Sequence, residues 1–361
     1  MKTRKSIVIL FGGISSEHEV SCVSAASVLE HIDREKYDIR TIGITKEGNW
    51  FLTDSPASDI SDGSWEQDEN NRRAFIVPDR GTGGIMAENA DGTFEVIRTD
   101  VVFPVLHGKN GEDGTMQGLL QLAGIPFIGS DTAASSASMD KAITKAMIEH
   151  RGYVDQARCY VVHQTAYDRD RNAQLEAVNS FFADTYPLFV KPANAGSSVG
   201  ISKVKRAEDL EKALDLAFAE DCKVLVEEAI TGREIEVAVL GNEEPQASCI
   251  GEIFAANEFY DYNAKYENSK SQTAIVRDLE PEKEQEIKDK AISVYETMGC
   301  SGMSRVDFFL EDGGRVVFNE INTLPGFTSI SMYPKLWEAS GIPYDELIDR
   351  LIKLALDKYE R

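Results

Sequence analysis

The stretch "SRVDFFLEDGGRVVFNEIN" (residues 304–322) places two acidic side chains opposite each other. Two runs rich in valine and phenylalanine flank a Gly-Gly pair, and this pattern predicts a β-hairpin with a two-residue loop. In such a hairpin Asp307 faces Glu320, and Arg305 faces Asn322. Carboxylates that face each other across two strands repel, so the sequence predicts a cation between them.

The nature of that cation follows from the ligands the hairpin offers. Side chains alternate along a strand, which predicts one shared face for Arg305, Asp307, Phe309, Phe318, Glu320 and Asn322. The same loop makes Leu310 face Val317. Two carboxylates and an amide are hard oxygen ligands that suit magnesium, which usually shares its shell with substrate phosphates. A surface hairpin with solvated acids is the alternative, but the intervening positions are apolar and favour a buried hairpin.

Length and charge set the class of protein. A chain of 361 residues predicts two or three domains. The net charge of −23 argues against nucleic acid and anionic membranes as partners, since both need a basic face. Five scattered cysteines fit a reducing cytoplasm, and the short apolar run "IVILF" near the amino terminus is too short for a signal segment.

The order of apolar runs predicts an α/β chain of three units. Residues 1–131 contain a strand–helix–strand pattern typical of a Rossmann-like doubly wound domain, with an irregular excursion at 54–95. Residues 132–223 predict a helix that ends at Gly152, followed by strands and a helix. Residues 224–361 begin with three strands and contain the acidic hairpin. The long polar segment 257–278 predicts a lid.

A second motif predicts phosphate binding. The common Walker and dinucleotide glycine patterns are absent from the sequence. The run "KPANAGSSVG" instead follows a strand with Lys191 and a glycine-serine loop, whose amides and hydroxyls can close over phosphates. Magnesium and phosphate signals in one chain favour a nucleotide-dependent enzyme.

The chain resembles the D-alanine–D-alanine ligase family along essentially its whole length. The shared runs, in the family order, are "FGGISSEHEVS", "LHGKNGEDGTMQG", "SMDK", "FVKPANAGSSVGISKV", "FYDYNAKY", "SRVDFF" and "NEINTLPGFTSISMYP". The resemblance implies an ATP-grasp fold of three domains, with an N-terminal Rossmann-like domain and ATP held between the central and C-terminal sheets. It also implies two small-molecule substrates, ATP and D-alanine, and a homodimer in the cytoplasm.

The resemblance implies the nucleotide and metal contacts. The ATP phosphates would meet Lys141, Lys191, Ser198 and Lys265. The adenosine would meet Glu227, Glu228, the Ile230 backbone and Glu234. Two magnesium ions, replaceable by manganese, would bind Asp307, Glu320 and Asn322.

The resemblance also implies the amino-acid contacts. Glu17 would bind the ammonium of the first D-alanine, and Ser197 and Tyr266 would join Glu17 in a hydrogen-bonded triad. The remaining members of the implied site are Arg305 and the Gly326 amide at the oxyanion, Ser331 at the second carboxylate, and His107 near the first substrate.

The residues taken alone allow other interpretations. Glu17 could be a helix first-turn acid that the helix dipole favours. His107 could be a packed histidine at a strand end, Ser198 could only shape its loop, Lys141 could be a solvated charge, and Tyr266 could be a packing residue.

Three functions follow from these alternatives. The leading one is ATP-dependent synthesis of D-alanyl-D-alanine through an acylphosphate, for peptidoglycan precursors. A D-alanine–D-serine or D-alanine–D-lactate ligase on the same scaffold is the near alternative, and a non-catalytic amino-acid-binding protein is the remote one. Met332, which follows Ser331, is apolar and favours D-alanine over D-serine as the second substrate.

Overall fold

A computed structural model describes residues 4–196, 199–254 and 272–360. The strands in these ranges are β1 (Lys5–Gly12), β2 (Tyr37–Ile44), β3 (Trp50–Thr53), β4 (Arg72–Ile76), β5 (Gly84–Glu88), β6 (Phe94–Arg98), β7 (Val101–Leu106), β8 (Asp155–Gln156), β9 (Cys159–His163), β10 (Leu188–Pro192), β11 (Ser202–Val204), β12 (Lys223–Glu228), β13 (Arg233–Gly241), β14 (Gln246–Phe254), β15 (Gln272–Ile275), β16 (Gly302–Leu310) and β17 (Val316–Asn322).

The α-helices in the same ranges are α1 (His18–His31), α2 (Ala57–Asp62), α3 (Thr115–Ala123), α4 (Thr132–Met139), α5 (Lys141–Arg151), α6 (Gln164–Arg169), α7 (Arg171–Phe181), α8 (Leu210–Phe218), α9 (Pro281–Thr297), α10 (Met332–Ala339) and α11 (Tyr344–Tyr359). Within these described ranges, no helix is both long enough and apolar enough to cross a membrane.

The first sheet has the order β6-β5-β4-β3-β2-β1-β7, and β1 pairs in parallel with β2 and β7. The predicted strand–helix–strand unit is therefore confirmed. The expectation of an irregular segment at 54–95 was wrong, because α2 and the antiparallel strands β4 to β6 lie there. Only every second residue of β4 is buried, at Ala74 and Ile76, and no residue of β6 is buried, so polar residues hide the pattern.

The second sheet is antiparallel with the order β11-β10-β12-β9. The sequence analysis assigned the run at 223–228 to the third unit, and this was wrong, since β12 lies between β10 and β9. The apolar run Val224–Val226 is completely buried, as a central strand requires, but an apolar run does not indicate which sheet receives it. The domain boundaries remain predictions.

One predicted helix is two helices. Asp140 separates α4 from α5, and its Oδ1 accepts hydrogen bonds from the Ala142 and Ile143 amides at 3.0 and 3.1 Å. Aspartate is a strong N-cap because its side chain satisfies amides that have no partner inside the helix. The predicted end at Gly152 is confirmed, since Gly152 ends α5 with a positive φ of 70°.

The third sheet has the order β15-β14-β13-β16-β17-β8 and contains the acidic hairpin. Its loop is longer than predicted and covers residues 312–314, where Gly314 has a φ of 81°. Leu310 consequently pairs with Val316, and the expected pairing with Val317 was wrong. A three-residue hairpin loop that ends in a left-handed glycine is a common alternative to a two-residue loop.

A bulge at Asn319 restores the predicted opposition of the acids. Phe308 pairs with Phe318, whereas Asp307 pairs with Glu320, so one extra residue stands on β17. Phe318 therefore packs with Phe308 in an apolar cluster, and its predicted place on the acidic face was wrong. The bulge compensates the longer loop, so the Asp307–Glu320 pairing is as predicted.

Candidate active site

A cavity of about 490 Å³ lies where the three sheets meet. Every predicted site residue within the described ranges lines it: Glu17, His107, Lys141, Lys191, Glu227, Glu228, Ile230, Glu234, Arg305, Asp307, Glu320, Asn322, Gly326 and Ser331. The predicted Ser197, Ser198, Lys265 and Tyr266 lie outside the described residues. The fold thus brings together the described members of the predicted set, and the role of each member remains a prediction.

Three carboxylates cross the third sheet side by side in this cavity. Glu236 on β13 pairs with Asp307 on β16, and Asp307 pairs with Glu320 on β17. Glu236 and Asp307 are only 4% and 8% exposed. Side chains paired in register share one face of a sheet, so three negative charges lie close together.

Arg305 joins two of these acids. Its Nε and Nη2 donate to Oδ1 and Oδ2 of Asp307 at 2.8 and 2.7 Å, and Nε also lies 3.2 Å from Glu236 Oε1. Burial opposes the charge on Arg305, but the carboxylates of Asp307 and Glu236 outweigh burial and raise the pKa of the guanidinium. The guanidinium therefore remains charged inside the site.

The donor set fits magnesium bound together with phosphates. Among the residues that the structure describes, no group of three or more histidine, cysteine, aspartate or glutamate side chains could hold a metal by itself. Asp307, Glu320 and the amide of Asn322 supply hard oxygen atoms on neighbouring strand positions. A partial protein shell of this kind leaves positions for phosphate oxygens and water, as magnesium prefers.

Lys191 and Glu227, which line the cavity, form a buried cluster with Lys145. Lys145 Nζ and Lys191 Nζ lie 2.8 and 2.7 Å from the two carboxylate oxygens of Glu227. Burial works against the charge of Glu227, but Lys191 and Lys145 outweigh it and lower the pKa of this carboxyl to about 2. Lys191 also donates to Asn319 Oδ1 at 3.3 Å, so the bulge residue connects the hairpin to the second sheet.

Lys141 occupies the first position of α5 and points to the glycine-serine loop. Its Nζ donates to the Ala195 carbonyl at 2.8 Å, and its amide donates to the Ala193 carbonyl at 3.1 Å. Asp140, the cap of the same helix, forms an ion pair with Lys223. These contacts fix Lys141 and the start of α5 beside the loop that follows β10.

The end of the cavity beyond Lys191 is where the resemblance implies adenosine. Glu228 at the end of β12 accepts a hydrogen bond from the Arg158 amide at 2.9 Å. Glu234, at the start of β13, pairs with Phe309, and both line the cavity together with Ile230. Acidic and apolar groups side by side suit a ligand with hydroxyl groups and a flat apolar face.

Glu17 lies at the other end, against two glycines. The residue is 8% exposed, and its amide donates to Ser15 Oγ at 3.1 Å. A Cβ at Gly108 or at Gly196 would lie only 2.9 or 2.8 Å from Glu17 Oε2. A side chain at Gly108 would also be strained by its φ of 68°, and the close approach of Gly196 to Glu17 brings the loop that starts at Gly196 to the N-terminal domain.

His107 is buried beside Glu17 in a polar network. Its Nε2 lies 3.1 Å from Ser24 Oγ, and its Nδ1 lies 3.7 Å from Glu112 Oε1. Burial favours the neutral ring, but the neighbouring carboxylates of Glu112 and Glu17 outweigh burial and raise the pKa of His107. The network fits a histidine that interacts with an anionic substrate, as the resemblance implies.

A tight turn at residues 326–331 closes the site. Ser331 Oγ accepts from the Thr328 amide at 3.0 Å and lies 2.8 Å from Thr328 Oγ1. A Cβ at Gly326 would lie 2.8 Å from Ser331 Oγ, so a side chain there would displace the hydroxyl. The turn thus holds the Gly326 backbone and the Ser331 hydroxyl next to each other in the cavity.

Sequence reasoning missed Lys145, Glu236, Asn319 and Glu112. Lys145 follows Lys141 by four residues, so helical periodicity could have placed both lysines on one face. Glu112 stands inside the run "LHGKNGEDGTMQG" that carried part of the resemblance. Glu236 had no local signal, because its partner strand follows about seventy positions later in the chain.

Two family models match the chain. The model described as D-ala D-ala ligase N-terminus matches residues 6–130, and the model described as D-ala D-ala ligase C-terminus matches residues 150–353. The chain belongs to the D-alanine–D-alanine ligase family. The predicted resemblance is therefore confirmed, and so is the predicted ATP-grasp fold with an additional N-terminal domain.

Known relatives agree with this assignment over nearly the whole length. The D-alanine–D-alanine ligase of Caldicellulosiruptor bescii is 49% identical over 99% of this chain and 96% of its own. The solved VanG D-Ala:D-Ser ligase from Enterococcus faecalis has a TM-score of 0.86 and 38% identity, covering 98% of this chain and 100% of that one. The D-alanine-D-alanine ligase from Coxiella burnetii has a TM-score of 0.86 and 36% identity, covering 99% and 95%.

Proposed function

We propose that this protein joins two D-alanine molecules into D-alanyl-D-alanine, a peptidoglycan precursor, while ATP is converted to ADP and phosphate. The observation that supports this most strongly is the meeting, in one cavity, of the Asp307–Glu320 pair with Lys141, Lys191 and Glu17. The site combines groups for a metal, a polyphosphate and an ammonium. A binding protein without catalysis needs neither the metal ligands nor the phosphate lysines.

The first step activates a carboxylate. The carboxylate oxygen of the first D-alanine forms a bond to the γ-phosphorus, the bond from that phosphorus to the bridging oxygen breaks, and ADP leaves. Glu17 holds the substrate ammonium, and Lys141 and Lys191 neutralise the phosphate charge. Phosphoryl transfer needs positioning and charge neutralisation more than covalent help, so these residue types fit the step.

The second step forms the peptide bond. The amine of the second D-alanine attacks the carbonyl carbon of the acylphosphate, phosphate leaves with the bonding electron pair, and the amine loses a proton. Arg305 and the Gly326 amide stabilise the oxyanion, and Ser331 binds the second carboxylate. A guanidinium and a backbone amide are fixed donors, which is what a tetrahedral oxyanion requires.

Asp307, Glu320 and Asn322 would hold two magnesium ions, for which manganese could substitute. Bound there, these ions would neutralise the charge of the phosphates and align them for transfer. The shape of the hairpin determines where this happens, since the bulge at Asn319 brings Glu320 back opposite Asp307.

The second candidate is a D-alanine–D-serine ligase. The solved VanG D-Ala:D-Ser ligase shares 38% of the sequence at the same TM-score as a D-alanine-D-alanine ligase, so fold alone does not separate the two activities. Met332 favours D-alanine, because it lines the cavity with an apolar side chain.

We also place the protein in the cytoplasm as a homodimer that acts on small molecules, without nucleic-acid or membrane partners. ATP is available in the cytoplasm, and all five cysteines are free thiols, which fits a reducing compartment.

The test is phosphate release from ATP with and without D-alanine, in the presence of magnesium. We expect release that depends on D-alanine and matches dipeptide formation one for one. Phosphate release that does not depend on D-alanine, or D-alanine binding without any phosphate release, contradicts the proposal.

A further inference from the structure

Arg305 has two carboxylate partners, Asp307 and Glu236, and the proposed function uses Asp307 as a metal ligand. Both oxygens of Asp307 accept hydrogen bonds from the Arg305 guanidinium, at 2.8 and 2.7 Å. The same two oxygens are the atoms with which Asp307 would ligate a metal ion. A metal ion and a guanidinium on one carboxylate repel each other, so metal binding weakens or breaks the Arg305–Asp307 contact.

Glu236 lies where it can keep Arg305 in the site after Asp307 has bound the metal. Its Oε1 lies 3.2 Å from Arg305 Nε, on the far side of Asp307 from Glu320. Glu236 is 4% exposed, so its carboxylate and the guanidinium interact at low dielectric. A buried guanidinium that lost Asp307 without another carboxylate would carry an uncompensated charge.

We propose that Glu236 is a positioning residue that holds Arg305 while Asp307 passes from the guanidinium to the metal. This inference rests on the proposed function, because it takes Asp307 as a metal ligand. In the metal-free protein Arg305 lies between Glu236 and Asp307. In the metal-bound protein Arg305 remains with Glu236 and faces the oxyanion position, and Asp307 binds the ion.

The proposal predicts competition between Arg305 and the metal when Glu236 is removed. In Glu236→Gln, Asp307 is the one of the two carboxylates that is left for the guanidinium. Arg305 therefore stays paired with Asp307 and opposes metal binding. We expect the dissociation constant for the metal to increase roughly tenfold or more, which is the range for losing a hydrogen bond to a charged group.

The measurement is a titration of the full-length protein with Mn²⁺ in the presence of ADP, with free Mn²⁺ followed by its electron paramagnetic resonance signal. Four proteins form a cycle: wild type, Glu236→Gln, Arg305→Ala and the double variant. Glu236→Gln should weaken Mn²⁺ binding strongly in the wild-type background and by less than roughly twofold in the Arg305→Ala background, because the competitor is absent there.

Glu252→Gln is the matched control. Glu252 is also a buried carboxylate paired with an arginine on a neighbouring strand, at 2.6 Å from Arg233, but neither residue lines the cavity. It should leave Mn²⁺ binding unchanged, and thermal unfolding of each variant verifies that the proteins are folded.

Two results overturn the inference. Unchanged Mn²⁺ binding in folded Glu236→Gln would show that Glu236 does not hold Arg305 away from the metal. Equal weakening in both backgrounds would show that Glu236 acts on the metal directly. Failure of the proposed metal site is distinguishable, because Asp307→Asn would then leave Mn²⁺ binding unchanged as well.

Discussion

We expect the charge of Glu320 to be needed for the reaction but not for folding. Glu320 faces Asp307 across the hairpin, so Glu320→Gln removes a repulsion as well as a proposed metal ligand. We expect turnover to fall nearly to zero, and we expect the metal-free protein to become more stable by a few tenths of a kcal/mol. Turnover assays and urea unfolding without metal measure the two effects.

Glu311→Gln, on the same hairpin, is the control for Glu320→Gln. Glu311 lies 3.7 Å from Arg315 beside the hairpin loop and does not line the cavity. This control should retain wild-type turnover. Wild-type turnover in Glu320→Gln itself would remove that residue from the proposed metal site.

Glu227 should contribute a stability that depends on pH. Its pKa is lowered to about 2, below the value of about 4.5 for an unfolded chain, so its contribution is complete above about 4.5 and is lost as the pH falls towards 2. Glu227→Gln leaves Lys145 and Lys191 without their carboxylate and should cost about 3–5 kcal/mol at neutral pH.

Urea unfolding of wild type and Glu227→Gln at pH 7, 5, 4 and 3 measures this contribution. The difference in unfolding free energy between the two proteins should shrink below pH 4.5. Glu211→Gln, which removes an exposed ion pair with Arg171, should change stability by less than about 1 kcal/mol at every pH. A difference for Glu227→Gln that is constant with pH would contradict the role of the lysine cluster.

At the scale of elements, the two neighbouring glycines of the hairpin loop should respond differently to substitution. Gly314 has a φ of 81°, which only glycine adopts without cost, whereas Gly313 has no positive φ and no heavy atom within 4 Å of an added Cβ. Gly314→Ala should therefore destabilise the protein by about 1–2 kcal/mol, and Gly313→Ala should be nearly neutral. Equal urea midpoints for the two variants would contradict the observed loop.

The sequence predicted which acids face each other in this hairpin better than it predicted the detailed strand pairing. The opposition of Asp307 and Glu320 was correct, although the loop is one residue longer than predicted and Phe318 lies on the other face. The longer loop and the extra residue Asn319 compensate each other. Neither has a local sequence signal strong enough to decide it, because Gly-Gly fits both loop lengths.

Sheet membership was harder to predict than strands. The run at 223–228 was correctly predicted as a strand but joins the second sheet, because pairing depends on contacts far away in the chain. The same reason explains why Glu236 was missed, while Asp307 and Glu320, thirteen positions apart, were found. Most of the other site residues were identified through the family resemblance, since one lysine or glutamate alone carries no sequence signal.

At the scale of the whole molecule, the preference for the second substrate is open to test. Met332 is 6% exposed, and its Cε would lie 2.0 Å from a Cβ at Gly251, so its side chain packs tightly against the third sheet. It offers a serine hydroxyl no strong partner, and burial of an unpaired hydroxyl costs about 1–3 kcal/mol. D-alanine should therefore exceed D-serine by roughly tenfold, with D-lactate poorest of the three.

A competition assay with equal concentrations of the three acceptors, with products resolved by mass, measures this preference. A product that is mostly D-alanyl-D-serine would contradict the role of Met332. A mostly depsipeptide product would contradict the proposed amine acceptor.

The central claim is that the carboxylate of the first D-alanine receives the γ-phosphate of ATP in this cavity. The most direct measurement uses D-alanine with ¹⁸O in its carboxylate and analyses the released phosphate by mass. Transfer through an acylphosphate leaves one carboxylate oxygen in the phosphate, so each dipeptide formed should yield ADP and one phosphate carrying a single ¹⁸O. Unlabelled phosphate, or AMP in place of ADP, would contradict the account.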